Sequence, residues 1–345
     1  MHDELRNYWH PVARAADIGD RPYAAELLGQ RIVLFRAGDE IVALDDLCIH
    51  RGTALSLGWL ADGQIVCHYH GWRYNWDGAC TRIPSLPAGV RIPPKARVPR
   101  YSTGLRYGLV WVCLGTPAAP IPAYAAYDDD TMATVLYDPF RWKANAARII
   151  ENALDYTHFP WVHDGLLGTQ SDPTYPEVDP QILDDGLRYK FDDHRNDTTR
   201  HYRLWLPFTL ELTVRTRVPD EQRHLEASSP VGRNYSMLFT CCPISSTESI
   251  QWFFTSRDWS LTQPDEHWYA FDATVMAQDQ RVVESQRPEE LPLDLTAELH
   301  LRGTETTGTS SLATARDSVT RLAKPNSSRP EPTNVTALPD PVPSR

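Results

Sequence analysis

At 345 residues, with 41% hydrophobic and 23% charged side chains, the chain is long enough for two domains with separate cores, and this balance excludes a wholly disordered or fibrous protein. A net charge of −11 speaks against a nucleic-acid binder, which meets phosphates with clustered Lys and Arg. No apolar run reaches the roughly 20 residues that span a bilayer, and residues 1–20 lack the apolar segment of a secretory signal, so no membrane association and a cytoplasmic location are expected.

In chain order, residues 31–115 read as short strands between turns. Arg31-Ile-Val-Leu-Phe-Arg36 and Ile41-Val-Ala-Leu44 flank a Gly38-Asp39 turn, and later strands fall near Ile65-Val66, Arg73-Tyr74 and Leu109-Val-Trp-Val-Cys-Leu114, which predicts a small all-β domain. Between His70 and Val110 seven basic residues (Arg73, Arg82, Arg91, Lys95, Arg97, Arg100, Arg106) stand against the single acid Asp77, either a solvated face or a docking patch for an acidic electron donor. Thr116-Pro-Ala-Ala-Pro-Ile-Pro-Ala123 reads as a semi-rigid linker.

The strongest local signal lies inside the first domain. Cys48-Ile-His50, sixteen intervening residues and Cys67-His-Tyr-His70 form a C-x-H…C-x-x-H arrangement, and a reducing compartment leaves metal binding as the reason for such spacing. Two Cys and two His can hold a [2Fe-2S] cluster with one iron on thiolates and the other on imidazoles. A Cys2His2 zinc site uses the same residue types, but here each ligand loop runs into glycine (Gly52, Gly71) among strands, without a finger helix. His68, beside Cys67, reads as an exposed or hydrogen-bonded histidine, and Cys80, Cys113, Cys241 and Cys242 as buried strand residues. With the flanks Trp9-His-Pro11, Leu44-Asp-Asp-Leu-Cys-Ile-His-Arg-Gly52, Leu55-Ser-Leu-Gly58 and Cys67-His-Tyr-His-Gly-Trp-Arg-Tyr74, this segment resembles the Rieske domain of ring-hydroxylating and demethylating oxygenases.

Beyond the linker, residues 145–162 carry helical spacing and contain Asp155-x-x-His158-x-x-x-x-His163. Asp155 and His158 are expected to share a helix face, with Pro160 ending or bending the helix so that His163 turns back to the same point. Two His and one carboxylate, with other positions open, form the ligand set of non-haem Fe(II) oxygenases. Strands at 201–206, 210–214, 236–240 and 250–254 and a second helix over about 271–286 complete an α+β half, with an antiparallel sheet and segregated helices in a helix-grip-like arrangement. On that helix Val275, Asp279, Val282 and Gln286 are predicted to share one face, and an acid in an apolar stripe calls for a compensating metal. Asp279 is therefore the expected third ligand, with Asp272, Asp265 and Glu284 as alternatives. Leu204-Trp-Leu206, Leu238-Phe239 and Trp252-Phe-Phe254 read as core first and pocket lining second.

The second half resembles the catalytic domain of the same oxygenases, as far as about residue 300. The resemblance implies mononuclear Fe(II) held by His158, His163 and Asp279, and Asp155 bridging between this iron and the cluster of a neighbouring subunit in a head-to-tail homotrimer. It also implies Asn152 as support for the iron site, and NAD(P)H acting through a ferredoxin or ferredoxin reductase. Length and N-terminal segment look like the vanillate demethylase type, so O2-dependent hydroxylation or O-/N-demethylation of a small aromatic or hydrophobic substrate is expected ahead of ring cis-dihydroxylation or a plain electron carrier. The expected division is 1–116 cluster domain, 117–139 linker, 140–324 catalytic domain and 325–345 disordered tail, the last holding six prolines in twenty-one residues.

Overall fold

The computed structural model describes residues 3–176, 178–194, 197–216, 233–262, 264–292 and 294–298. The expected tail lies outside the described residues.

The first half is all β. Strands β1 (His10–Arg14), β2 (Tyr23–Leu27), β3 (Gln30–Ala37), β4 (Glu40–Asp45), β5 (Trp59–Ala61), β6 (Gln64–Val66), β7 (Arg73–Tyr74), β8 (Cys80–Arg82), β9 (Arg100–Arg106) and β10 (Leu109–Cys113) make two antiparallel sheets. The larger has the order β1-β10-β9-β4-β3-β2 and the smaller β5-β6-β7-β8. Val33, Phe35, Val42 and Leu44 on one face of β3 and β4 pack with Cys48, Cys67 and Tyr74, so the smaller sheet and its two ligand loops share a core with the larger.

Among the described residues, the second half is one antiparallel sheet with three α-helices. Its strands are β11 (Ala133–Leu136), β12 (Phe140–Trp142), β13 (Gln181–Leu183), β14 (Gly186–Asp193), β15 (Thr198–Trp205), β16 (Thr209–Thr216), β17 (Asn234–Pro243) and β18 (Ser249–Arg257), in the order β11-β18-β17-β16-β15-β14-β13 with β12 also on β18. Helices α1 (Ala146–Leu154), α2 (Phe159–Val162) and α3 (Glu266–Val283) accompany the sheet, and α1 and α3 share with its strands a core that includes Ile150, Leu210 and Met276. The α+β, helix-grip-like expectation holds. The segment expected as a linker contains β11, an edge strand of this sheet, because Ala133–Leu136 finds backbone partners on β18.

Period-two alternation gives β17 and β18 two separate jobs. Leu238, Trp252 and Phe254 face the first half and form one cluster with Tyr107, Leu109, Trp111 and Tyr124. Met237, Phe239 and Phe253 face the other way, towards α3. Backbone ties reinforce the junction, with Leu28 N donating to Pro243 O at 2.8 Å and Gly29 N to Ile244 O at 2.7 Å. The Trp252 indole N–H donates to Pro11 O at 2.9 Å. Replacing Trp252 by Ala is expected to lower stability by about 3–5 kcal/mol, the usual cost of emptying a large buried aromatic site, measured as urea unfolding of the cluster-loaded protein.

Candidate metal centres

The two Cys–His loops are built alike. Gly52 N donates to Cys48 O and Gly71 N to Cys67 O, both at 2.9 Å, and both glycines sit at positive φ (70° and 68°), where a side chain would be strained. Each loop is pinned at its start, Cys48 N to Thr53 O and Cys67 N to Trp72 O, both at 2.8 Å. Both cysteines are buried, while His50 and His70 reach the surface with ring centroids 4.5 Å apart, His50 stacked on Trp72 at 4.6 Å. His50 Nδ1 is buried without a hydrogen-bond partner, as a nitrogen reserved for a metal would be. These residues fit a cluster with thiolates inside and imidazoles outside. Tyr74, buried beneath the loops, has its hydroxyl 3.1 Å from Cys48 Sγ. His68 is exposed, edge-on to Trp59, and Cys80, Cys113, Cys241 and Cys242 are all buried in strands.

The basic stretch is less one-sided in space than in sequence. Arg73, Arg97, Arg100 and Arg106 face Asp62, Asp77, Glu40 and Asp128 at 3.1, 2.7, 4.0 and 2.8 Å. Three of these acids lie outside the segment, so its charge count overstated the local field.

Among the described residues, the set of three or more His, Cys, Asp or Glu side chains whose ligand atoms converge to within 4.8 Å is His158, His163 and Asp279. Asp279 Oδ1 lies 3.3 Å from His158 Nε2 and 3.0 Å from His163 Nε2, and the two Nε2 atoms are 3.3 Å apart. Asp279 Oδ1 is buried and in neither contact does it have hydrogen-bond geometry. Burial disfavours charge on these groups, yet Asp155 and Asp279 raise His158 to about 9, while the two histidines bring Asp279 down to about 2. Three electron-pair donors aimed at one point fit a divalent metal better than they fit one another.

The route by which the chain brings them together differs from the expectation. Asp155 and His158 do not share a helix: α1 stops at Leu154, and Asp155 is extended (φ −84°, ψ 130°). Asp155 Oδ1 accepts from Thr157 N at 2.8 Å and Thr157 Oγ1 at 2.7 Å, a side-chain turn that outcompetes helix continuation. Pro160 does not end the helix but sits in the first turn of α2, where its missing N–H costs nothing. Tyr156 in the turn packs on Phe191 at 4.3 Å, and the Tyr189 hydroxyl donates to Leu154 O, so β14 holds the bend in place. Asp155 Oδ2 stands 3.4 Å from His158 Nδ1, an ion-pair distance without hydrogen-bond geometry. Asn152 lines the adjoining cavity.

On α3 the buried face is Asp272, Met276, Asp279 and Val283. Val282 is exposed and Gln286 lies beyond the helix end, so the face predicted from Val275, Asp279, Val282 and Gln286 was set slightly out of phase, although Asp279 belongs to both. Of the alternative acids, Asp272 is buried elsewhere on that face and Glu284 accepts from Lys143 N at 2.9 Å. Gln278 escaped sequence reasoning: its Oε1 is 2.8 Å from His163 Nδ1, which assigns the proton to Nδ1 and leaves Nε2 to bind metal.

A cavity of about 230 Å³ opens beside these three residues. Leu212, Val214, Met237, Phe239 and Phe253 form its sheet wall, and Phe271, Val275 and Met276 its helix wall. Among the aromatic segments expected as lining, Phe239 and Phe253 take part; Leu204, Trp205, Leu206, Leu238, Trp252 and Phe254 do not line it. Polar groups on the wall are few, chiefly Asn152, Arg200, Gln251 and Asp272.

Residues 8–102 match the family described as the Rieske [2Fe-2S] domain, and residues 142–307 the vanillate O-demethylase oxygenase C-terminal domain. The chain is 31% identical over 306 residues to methylxanthine N1-demethylase NdmA of Pseudomonas putida, covering 84% of this chain and 83% of the relative. It is 30% identical over 310 residues to methylxanthine N3-demethylase NdmB of the same organism, with 83% of each covered. The solved structure of NdmB superposes with a TM-score of 0.80 at 28% identity, over 93% of both chains. Dicamba monooxygenase bound to dicamba, at 20% identity and a TM-score of 0.71 over 92% of this chain and 97% of that one, shares the fold.

Replacing Gln278 by Leu removes the acceptor at His163 Nδ1. Fe(II) affinity is expected to fall about 10- to 100-fold, read as iron retained against a chelator with the cluster spectrum unchanged.

Proposed function

Because the chain belongs to the Rieske non-haem iron oxygenases, a family of enzymes with a [2Fe-2S] cluster and a mononuclear iron, we propose that it N-demethylates a small N-heteroaromatic substrate. It is the oxygenase component of a monooxygenase, using O2 and electrons that a reductase or ferredoxin partner delivers from NAD(P)H. The observation that carries the demethylase reading is the pairing of a compact, mostly apolar cavity with the three-donor site at its edge, in a chain similar to two N-demethylases along most of its length.

In this reading residues 1–116 carry the cluster on Cys48, His50, Cys67 and His70, and residues 140–324 the iron on His158, His163 and Asp279. His158, His163 and Asp279 would hold Fe(II), which when bound would supply O2 activation beside the substrate. The protein's part is positioning. Gln278 holds a proton on His163 Nδ1, Asp155 faces His158 Nδ1, and the apolar walls exclude water while presenting one methyl group to the metal end. One oxygen atom of O2 enters a C–H bond of that methyl group and the other leaves as water, with two electrons and two protons consumed. The resulting N-hydroxymethyl group breaks its C–N bond, giving N–H and formaldehyde. In the same reading Asp155, 3.4 Å from His158 Nδ1, connects this iron with a cluster histidine of a neighbouring subunit in a homotrimer, and the protein works in the cytoplasm.

Two measurements test the reading. Replacing His163 or Asp279 by Ala is expected to lower iron from about three to about two atoms per chain while the cluster spectrum persists; loss of the cluster together with the third iron, or retention of all three, would remove these residues as ligands. Chemically reduced native protein, given N-methylated heteroaromatics and O2, is expected to release formaldehyde and a product lighter by one methylene group. A product heavier by one oxygen without formaldehyde would make it a hydroxylase, and one heavier by two would make it a dioxygenase.

A further inference from the structure

Asp272 is a second carboxylate on the inner face of α3, and the metal site does not use it. It is buried, lines the cavity and accepts a hydrogen bond from the hydroxyl of Tyr137. That phenol occupies one of the roughly four lone-pair positions of a carboxylate, leaving acceptor capacity. Burial pushes its carboxyl up to about 6, only partly offset by the hydroxyls of Tyr137 and the neighbouring Tyr235, and no cation among the described residues contributes. A charge-bearing acceptor on a mostly apolar wall, with a phenol but no cationic partner, is costly to keep unless a ligand meets it.

Its position sets a length. Asp272 and Asp279 are seven residues apart on one helix, so their Cα atoms are separated by about 10 Å along the axis and point in nearly the same direction. A ligand lying along α3 therefore has a metal end at Asp279 and an acceptor end at Asp272. The cavity, about 230 Å³, is below the range of about 300–1,000 Å³ typical for drug-sized ligands, so such a molecule has one or two rings. The same wall presents Gln251, whose Oε1 accepts from the Trp142 indole N–H at 3.1 Å, which fixes the amide's orientation and leaves its NH2 as a donor.

We propose that Asp272 is a specificity-determining residue that accepts a hydrogen bond from a ring N–H at the end of the substrate remote from the methyl group being removed. The inference rests on the demethylase reading and narrows it: the preferred substrate is a flat N-heteroaromatic that carries a ring N–H as well as an N-methyl group. Its fully N-methylated twin, which offers carbon where the carboxylate needs a proton, is disfavoured.

The test uses the cluster- and iron-loaded protein, titrated calorimetrically without reductant, with paired probes differing by one methyl group: 1,3-dimethylxanthine against 1,3,7-trimethylxanthine, and 3-methyluracil against 1,3-dimethyluracil. At least one N–H compound is expected to bind about 10- to 100-fold more tightly than its twin. Asp272→Leu is expected to abolish that preference without weakening the twin, and Asp272→Asn to reduce it. Tyr137→Phe, which removes only one hydrogen bond to the carboxylate, is expected to retain the preference. If Asp272 merely clamps Tyr137, Asp272→Leu and Tyr137→Phe weaken both members of a pair alike, which overturns the proposal. So does a native protein that prefers the twin, shows no preference or binds no member of either pair. Formaldehyde release under turnover separates the two readings: a preference lost in Asp272→Leu without formaldehyde from any probe removes the demethylase and keeps the contact. Formaldehyde with an unchanged preference does the reverse.

Discussion

Two imidazole nitrogens and a carboxylate oxygen held about 3 Å apart in a cavity wall are the constraint on which the second half of the molecule turns. Each atom offers an electron pair, the surroundings are poor in solvent, and Asp279 Oδ1 is buried without a hydrogen bond, so the arrangement suits a cation. The three donor atoms come from two distant segments, α2 with its flanking turn and α3. Everything nearby serves to press those segments together: the aromatic support of the bend by Tyr156, Tyr189 and Phe191, the Gln278 contact, and the Glu284 side chain that ties the end of α3 to Lys143 N.

The sheet makes this possible by separating its tasks between faces. β17 and β18 turn Leu238, Trp252 and Phe254 towards the cluster half and Met237, Phe239 and Phe253 towards the cavity. A shift of pairing by one residue would exchange the two sets, putting cavity-lining side chains into the junction core and junction side chains into the cavity. The register that joins the halves is thus the register that shapes the cavity.

What was legible in the sequence was what is local. The Cys48–His50 and Cys67–His70 loops are each closed by a glycine four residues after the cysteine, so spacing alone carried them. The His158 and His163 pair was legible for the same reason, and Asp279 because a lone acid among apolar helix positions stands out. The bend at Asp155 was not, since hydrogen bonds donated by Thr157 to the Asp155 carboxylate and packing on β14 decide against a continuous helix there. The inner face of α3 was displaced from the prediction because the sheet, not the helix's own periodicity, chooses what is covered. Asp272 meets Tyr137 across 135 positions of chain, and no periodic signal reaches that far. β11 has the same character, a four-residue strand defined only by its pairing with β18.

The junction between the halves also bears on how electrons arrive. Trp252 is hydrogen-bonded to Pro11 inside a continuous aromatic core, and backbone hydrogen bonds join the halves again at Leu28–Pro243 and Gly29–Ile244. A swinging head, in which an iron–sulfur module travels between donor and acceptor on a hinge, would have to dissolve that core on every cycle. The cluster is instead a fixed terminal whose imidazole edges stay at the surface, and the protein that reduces it must do the travelling.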